Sequence, residues 1–277
     1  MTLDPNAVAR WQTWIGRTET RTEIIEVESL RRYAAALGEN LDVETVLPSL
    51  AHWACFLPVV APDQIGPDGH PKRGGFLPPV SLQRRMFAAA DMTFDAPLLS
   101  GREATRTSRI TGVTHKAGRS GELVLVEVEH EIEQAGQMRV RERQTIVYRD
   151  AGTPIPAIIP TEQGDVPGAV TWLPGSVDLF RFSAATFNSH RIHYDAAYAT
   201  GEEGYPGLVV HGPFTAARLL GVGARQGAAI RQFSFRALAP LFVDQPVALV
   251  LGEGSISAIR CDGVTAMAAT FKCGAES

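Results

Sequence analysis

Between Asp150 and Pro174 the chain reads DAGTPIPAIIPTEQGDVPGAVTWLP, with five prolines and little periodicity. Proline removes a backbone donor and restricts the residue before it, so this stretch reads as a linker at 151–174 between two modules. The same order of elements is expected on either side. In the first half, Thr18–Glu28 is β-branched and strand-like, Ser29 offers an N-cap, and Leu30, Tyr33, Ala34 and Leu37 follow at helical spacing until Gly38. A long Pro/Gly-rich stretch, Leu41 to Ser81, precedes four strand-like runs at Leu82–Phe94, Glu103–His115, Glu122–Gln134 and Gln137–Arg149. In the second half, Ser176–Ala184 reads as a strand and Pro213–Leu220 as an apolar helix. Further strands are expected at Ile230–Ala237, Pro246–Glu253, Ser255–Arg260 and Gly263–Cys273. The expectation is an α+β chain built from two modules, 1–150 and 175–277, each a helix wrapped by an antiparallel sheet.

Composition narrows the partners. The 277 residues carry a net charge of −4, so no basic excess exists to neutralise nucleic-acid phosphates. Cys55, Cys261 and Cys273 are odd in number and far apart, which excludes a zinc-type cluster and fits a reducing compartment. No continuous apolar run marks a signal peptide or a membrane span, and the chain reads as cytoplasmic.

Chemistry concentrates in Phe182–Gly212, FSAATFNSHRIHYDAAYATGEEGYPGLVVHG, which holds His190, His193 and His211 with Asn188, Tyr194 and Asp195. Dense titratable groups in a turn-rich connection point to a site, since loops on rigid scaffolds carry function. His211-Gly212-Pro213 opens an apolar helix, with Pro suited to the first turn. Backbone N–H groups there, with Gly permitting close approach, can hold a developing oxyanion.

The segment Asn188-Ser189-His190-Arg191-Ile192-His193-Tyr194-Asp195, followed by Tyr198-Ala199 and Val209-Val210-His211-Gly212, resembles the MaoC-like enoyl-thioester hydratases of the hot-dog fold. Its form is most similar to a subgroup comprising 3-methylfumaryl-CoA (mesaconyl-CoA) hydratases, itaconyl-CoA hydratases and mitochondrial hydroxyacyl-thioester dehydratases. Asp68-Gly69-His70-Pro71, Gly74–Pro79 and Gly118–Gly121 extend the likeness into the first half. The resemblance implies a double hot-dog whose first half lacks the catalytic motif and supplies a pocket wall, with Gly74–Pro79 over an acyl tunnel. It implies addition of water to a double bond conjugated to a thioester, without a cofactor or a metal. His193 fills the family's catalytic histidine position, whereas Asn188 stands where the family has Asp and His190 where it has Asn. An amide is no general base, so His193 takes the proton while Asn188 orients the water; Asp195 or His190 are alternatives for a second base.

Gly212, His211, His190, Arg191 and Tyr194 are the expected oxyanion and substrate contacts. Arg84, Arg85 and Arg119, with Lys116 and Arg231, are candidates for the phosphate of CoA or acyl carrier protein, or for a substrate carboxylate. The expected reaction is hydration of a short, branched, unsaturated dicarboxylic acyl-CoA, 3-methylfumaryl or itaconyl, toward citramalyl-CoA. A 3-hydroxyacyl-thioester dehydratase and a non-catalytic thioester-binding protein are the alternatives. A homo-oligomer is expected.

Overall fold

The structure is a computed structural model that describes residues 3–118, 121–150, 152–161, 168–225, 227 and 229–274. The first half runs α1 (Pro5–Gln12), β1 (Thr18–Ile24), α2 (Val27–Leu37), β2 (Arg84–Phe94), β3 (Glu103–Gly118), β4 (Gly121–Gln134) and β5 (Gln137–Arg149). The second half runs β6 (Val170–Trp172), α3 (Ser176–Ala185), α4 (Ala196–Gly201), α5 (Gly212–Ala224), β7 (Ile230–Ala237), β8 (Val247–Gly252), β9 (Ser255–Arg260) and β10 (Thr265–Cys273). Among the described residues all ten strands join one antiparallel sheet in the order β1-β3-β4-β5-β2-β7-β10-β9-β8-β6. Read outward from its centre, each half has the same arrangement, with β2 and β7 in equivalent places. Pairing of Ala89–Thr93 with Gln232–Arg236 fuses the two half-sheets. This is the double hot-dog architecture.

Local signals explain most elements. Asp4 caps α1, accepting the Asn6 N–H at 2.9 Å with Pro5 in the first turn. Gly38 ends α2 at φ 69°, a left-handed conformation that glycine adopts without strain. α5 buries Phe214, Ala216, Ala217, Leu219, Leu220 and Val222, so it is apolar nearly all round, and the strands β7 to β10 pack on it. α2 differs from the expected wrapped helix. It packs on α3 and on the 3-10 turn Ala51–Ala54, and reaches the first-half sheet through Leu30 and Ala34, which cluster with Ala104, Ile132 and Val140.

Two further expectations are corrected. Ser176–Ala184 is not a strand: Gly175 N–H donates to Asp178 Oδ2 at 2.9 Å, a capping contact that starts α3. Leu179, Phe182, Ser183 and Ala185 then fall on its buried side. The edge strand is Val170–Trp172, inside the stretch read as linker, where it pairs with Val247–Leu249 of β8. The two half-sheets also share aromatic packing: Trp53, Phe87 and Phe235 meet edge-on at centroid distances of 5.5 to 6.1 Å. Each such pair adds about 0.5–1.5 kcal/mol beyond its burial. Beside them Glu142 is buried but answered on both oxygens, by Trp53 Nε1 at 3.0 Å and Gln144 Nε2 at 2.9 Å on Oε1 and by His52 Nε2 at 3.2 Å on Oε2. Burial works to raise that carboxyl, and the His52 bond and charge, then His130 and the Gln144 bond, bring it down to about 2. No helix among the described residues is long and apolar enough to cross a membrane.

Candidate active site

The loop after α3 is folded by its own polar groups. Asn188 N–H donates to Ser183 O at 2.8 Å, and Asn188 Oδ1 accepts the His190 N–H at 3.0 Å, an Asx-type turn. A 3-10 turn, Arg191–His193, follows, and Asp195 caps α4 by accepting the Tyr198 N–H at 3.0 Å. The turn drives His193 inward to 7% exposure.

The His193 tautomer is set by its neighbour. Its Nδ1 lies 2.7 Å from Val209 O, an atom that can only accept, so Nδ1 carries the proton and Nε2 keeps its lone pair. Burial, assisted by His70 and opposed by the Val209 bond, brings the imidazole down to about 3. His193 is therefore a neutral base at physiological pH. His211, fully buried, stacks on it with centroids 3.6 Å apart and holds Ser183 Oγ through Nε2 at 2.8 Å. Burial, then His193 and His190, keeps His211 well below the usual imidazole range. His211 is also the N-cap of α5. The N–H groups of Gly212 and Phe214, in the first turn, have no acceptor among the described residues. A neutral base beside two unpaired helix-terminal amides can take a proton from water and stabilise an enolate oxygen.

The first half enters this site directly. Arg191 N–H donates to Asp68 O at 2.9 Å, Arg191 Nη1 to Pro67 O at 3.1 Å, and Ser189 Oγ to Gly69 O. The docked loop places His70 against His190 with ring centroids 4.1 Å apart, and His190 is 5.3 Å from His193. His70, His190, His193 and His211 thus form a row of rings. Among the described residues no His/Cys/Asp/Glu group is arranged to hold a metal ion. Burial, then the charges of His70 and His193, holds His190 far below the usual range, so it too is neutral at physiological pH.

Several expected contacts lie elsewhere. Arg191 is turned outward: Nε and Nη2 bind Asp195 Oδ2 at 3.0 and 2.7 Å, and its guanidinium covers the Tyr198 ring at 4.2 Å. Asp195 is thereby spent on Arg191 and the α4 cap rather than offered as a base. Tyr194 is half exposed, its hydroxyl donating to Ser189 O at 3.1 Å. Arg84 forms an ion pair with Glu203 at 2.8 Å and sits over Tyr205, bridging the halves. Arg231 donates to the Phe94 and Asp95 carbonyls, and Lys116 is an exposed residue of β3. Arg119 falls outside the described residues. The Gly74–Pro79 stretch lies on α1, where Gly75 O accepts from Trp14 Nε1 at 3.3 Å and Phe76 and Leu77 pack in the Trp11 cluster. Arg85 is the exception. It is half-buried on β2, its charge helps hold His70 and His190 neutral, and among the described residues it enters no ion pair. Ser183 and Asp68 join the site without having been singled out for it.

Residues 50–243, which include all four histidines, match the sequence family of type 2 hydroxyacyl-thioester dehydratases. The chain belongs to this family. It is similar to the mesaconyl-C(4)-CoA hydratase of Chloroflexus aurantiacus, with 44% identity over 276 residues, 96% of this chain and 99% of that one. Among solved structures it resembles a MaoC-like dehydratase from Phytophthora capsici (TM-score 0.70, 14% identity, 98% and 99% of the two chains). It also resembles a Mycobacterium tuberculosis protein described as a double hotdog fold (TM-score 0.56, 11% identity, 93% and 95%). Both structural likenesses concern the fold. With its relatives among hydratases and dehydratases, this type 2 dehydratase family member is a hydro-lyase of acyl thioesters.

Proposed function

We propose that the protein adds water to a short, branched, unsaturated dicarboxylic acyl-CoA of the mesaconyl (3-methylfumaryl) or itaconyl kind, giving citramalyl-CoA. The observation that carries this reading is the neutral His193, its Nδ1 tied to Val209 O, beside the open N-terminus of α5. His193 Nε2 takes a proton from water as the oxygen bonds to the β-carbon. In the mesaconyl substrate, whose double bond is conjugated to the thioester, the double-bond electrons move into a thioester enolate held by the Gly212 and Phe214 amides. The protonated imidazole then returns its proton to the α-carbon, so one water is added and the base is regenerated.

A dicarboxylic substrate presents a free carboxylate, and leaving it buried and unpaired costs several kcal/mol. Arg85 is the cation we assign to it; the reading is supported by Arg84 and Arg191 being already committed to Glu203 and Asp195. The 44% identity to a mesaconyl-C(4)-CoA hydratase supports the same substrate class. The test is kcat/KM for mesaconyl-CoA against crotonyl-CoA in the parent and in Arg85→Ala. A charge-assisted bond is worth about 1.5–3 kcal/mol, so the substitution should shift that ratio by roughly 10- to 150-fold. A parent enzyme that prefers long uncharged chains, with an unchanged ratio in the variant, refutes it. The second reading, dehydration of a 3-hydroxyacyl thioester on CoA or acyl carrier protein, is favoured by the family match and uses the same residues in reverse.

A further inference from the structure

A site that adds water through one imidazole gains from a second acceptor that aims the water. In the loop Asn188 Oδ1 already accepts the His190 N–H, which ties it into the Asx turn, and its amide nitrogen can only donate. Asp195 is taken by Arg191, and the His190 ring lies between those of His70 and His193. An acceptor does arrive from the first half. Asp68 Oδ2 lies 3.1 Å from His70 Nδ1, and Asp68 Oδ1 accepts the His70 N–H at 3.0 Å. The carboxylate places the ring proton on Nδ1 and leaves the Nε2 lone pair free, with no partner among the described residues. The His70 side chain keeps 21% of its exposure, so it is not sealed in the core.

We propose that His70, oriented by Asp68, is a second catalytic residue: its Nε2 accepts one hydrogen of the attacking water while His193 removes the other. The inference rests on the hydratase reading above. His70 exchanges no net proton; the O–H bond that breaks is the one to His193, and both hydrogens of the water end on product, one on oxygen and one on the α-carbon. The pair does from the first half what a carboxylate at position 188 would do from the loop. The groups facing His70 suit this role. Asp68 and His190 adjoin it, with Arg85 and Arg73 as the nearby cations; burial first, then those cations, outweigh the Asp68 bond and bring His70 down to about 4. It is a neutral acceptor at the pH where His193 is a neutral base. The docking that brings it there combines one backbone bond, two side-chain bonds to backbone carbonyls and a glycine that leaves no room for a side chain.

The test measures enoyl-CoA hydration by His70→Ala, His70→Gln, Asp68→Ala and the double variant His70→Ala/Asn188→Asp. His70→Ala should lower kcat by about 10²-fold, the size of a lost acid–base contact, with KM and the thermal unfolding midpoint near the parent's. The double variant should recover at least about tenfold of that loss, because the restored carboxylate takes over the acceptor role. His70→Gln, which keeps an acceptor and the side-chain length, decides the matter if the alanine variant fails to fold; it should retain more activity than Asp68→Ala. Parent-like turnover in His70→Ala overturns the proposal, and so does a loss that Asn188→Asp does not relieve, since that marks a merely structural part. A parent protein that hydrates no enoyl-CoA refutes the hydratase reading instead.

Discussion

Gly69→Ala tests whether the first half is part of the active site, because its effect can be worked from the coordinates. Gly69 has φ +88°, and a Cβ built on it would lie 1.9 Å from Ser189 O, 2.8 Å from Ser189 C and 3.2 Å from Arg191 N. Carbon–oxygen contacts below 3.0 Å do not persist, so the Asp68–His70 loop must withdraw from the catalytic loop by at least about 1.1 Å. An L residue held in the left-handed region adds roughly 1–2 kcal/mol. Withdrawal strains the bonds Arg191 N–H to Asp68 O, Arg191 Nη1 to Pro67 O and Ser189 Oγ to Gly69 O. Each is worth about 0.5–1.5 kcal/mol net, so the loop undocks locally while the sheet and core stay intact. A displacement of ~1 Å near reacting groups costs on the order of 10²-fold in rate. The assay is kcat for enoyl-CoA hydration, with urea denaturation run alongside. Gly75→Ala is the control, since nothing lies within 4 Å of its Cβ position and it should behave as the parent. Undiminished kcat in Gly69→Ala, with the protein folded, would show that His70 and its loop are mere neighbours of the site.

His193→Ala should lower kcat by at least ~10²-fold while circular dichroism and the unfolding midpoint show a folded protein; near-parent turnover would move the base elsewhere. Stability should fall on mild acidification. His193 and His70 are held neutral, at about 3 and about 4, below the ordinary imidazole value, so between roughly 6.5 and those values the unfolded chain binds more protons. Their contribution is complete above ~6.5 and is lost as pH falls toward 4, costing about 2 kcal/mol for His193 alone at pH 5. Urea midpoints at pH 7 and pH 5 check the sign, and equal midpoints would contradict neutral burial.

Why some of this was legible and some not follows from the range of the interactions. The limits of β5, β7 and β9 coincide with their sequence readings because inward and outward residues alternate along β9 and over Phe233–Arg236 of β7, and because turns such as Ala135–Gly136, just before β5, punctuate the strands. His190, His193 and His211 stood out because one short motif carries them. Ser176–Ala185 was misread because SVDLF is β-branched and aromatic at its start, whereas the contact that decides for helix is a single side-chain bond from Asp178 back to Gly175. Asp68 and His70 were visible only as part of a resemblance. They meet the catalytic loop about 120 residues away through bonds accepted by the Pro67, Asp68 and Gly69 backbone carbonyls, which impose no side-chain type on the first half, and the one local trace is a glycine whose spacing reads as a turn.

Arg191 shows the opposite error, in which nearness along the chain was mistaken for nearness in space. It is two residues from His193 and was expected to reach the substrate carboxylate. The connecting turn is 3-10, with about three residues per turn, so positions two apart point some 240° from each other. Once His193 is driven inward to its bond with Val209 O, Arg191 must face outward, where Asp195 and Tyr198 receive it. On the dicarboxylate reading proposed above, the cation for the substrate would come from a different element, Arg85 on β2 of the other half. In the proposed mechanism each half supplies what the other lacks: the second half has His193 and the α5 terminus, and the first has Asp68, His70 and Arg85. The fused sheet, through the β2–β7 pairing, is what holds these two sets in one register.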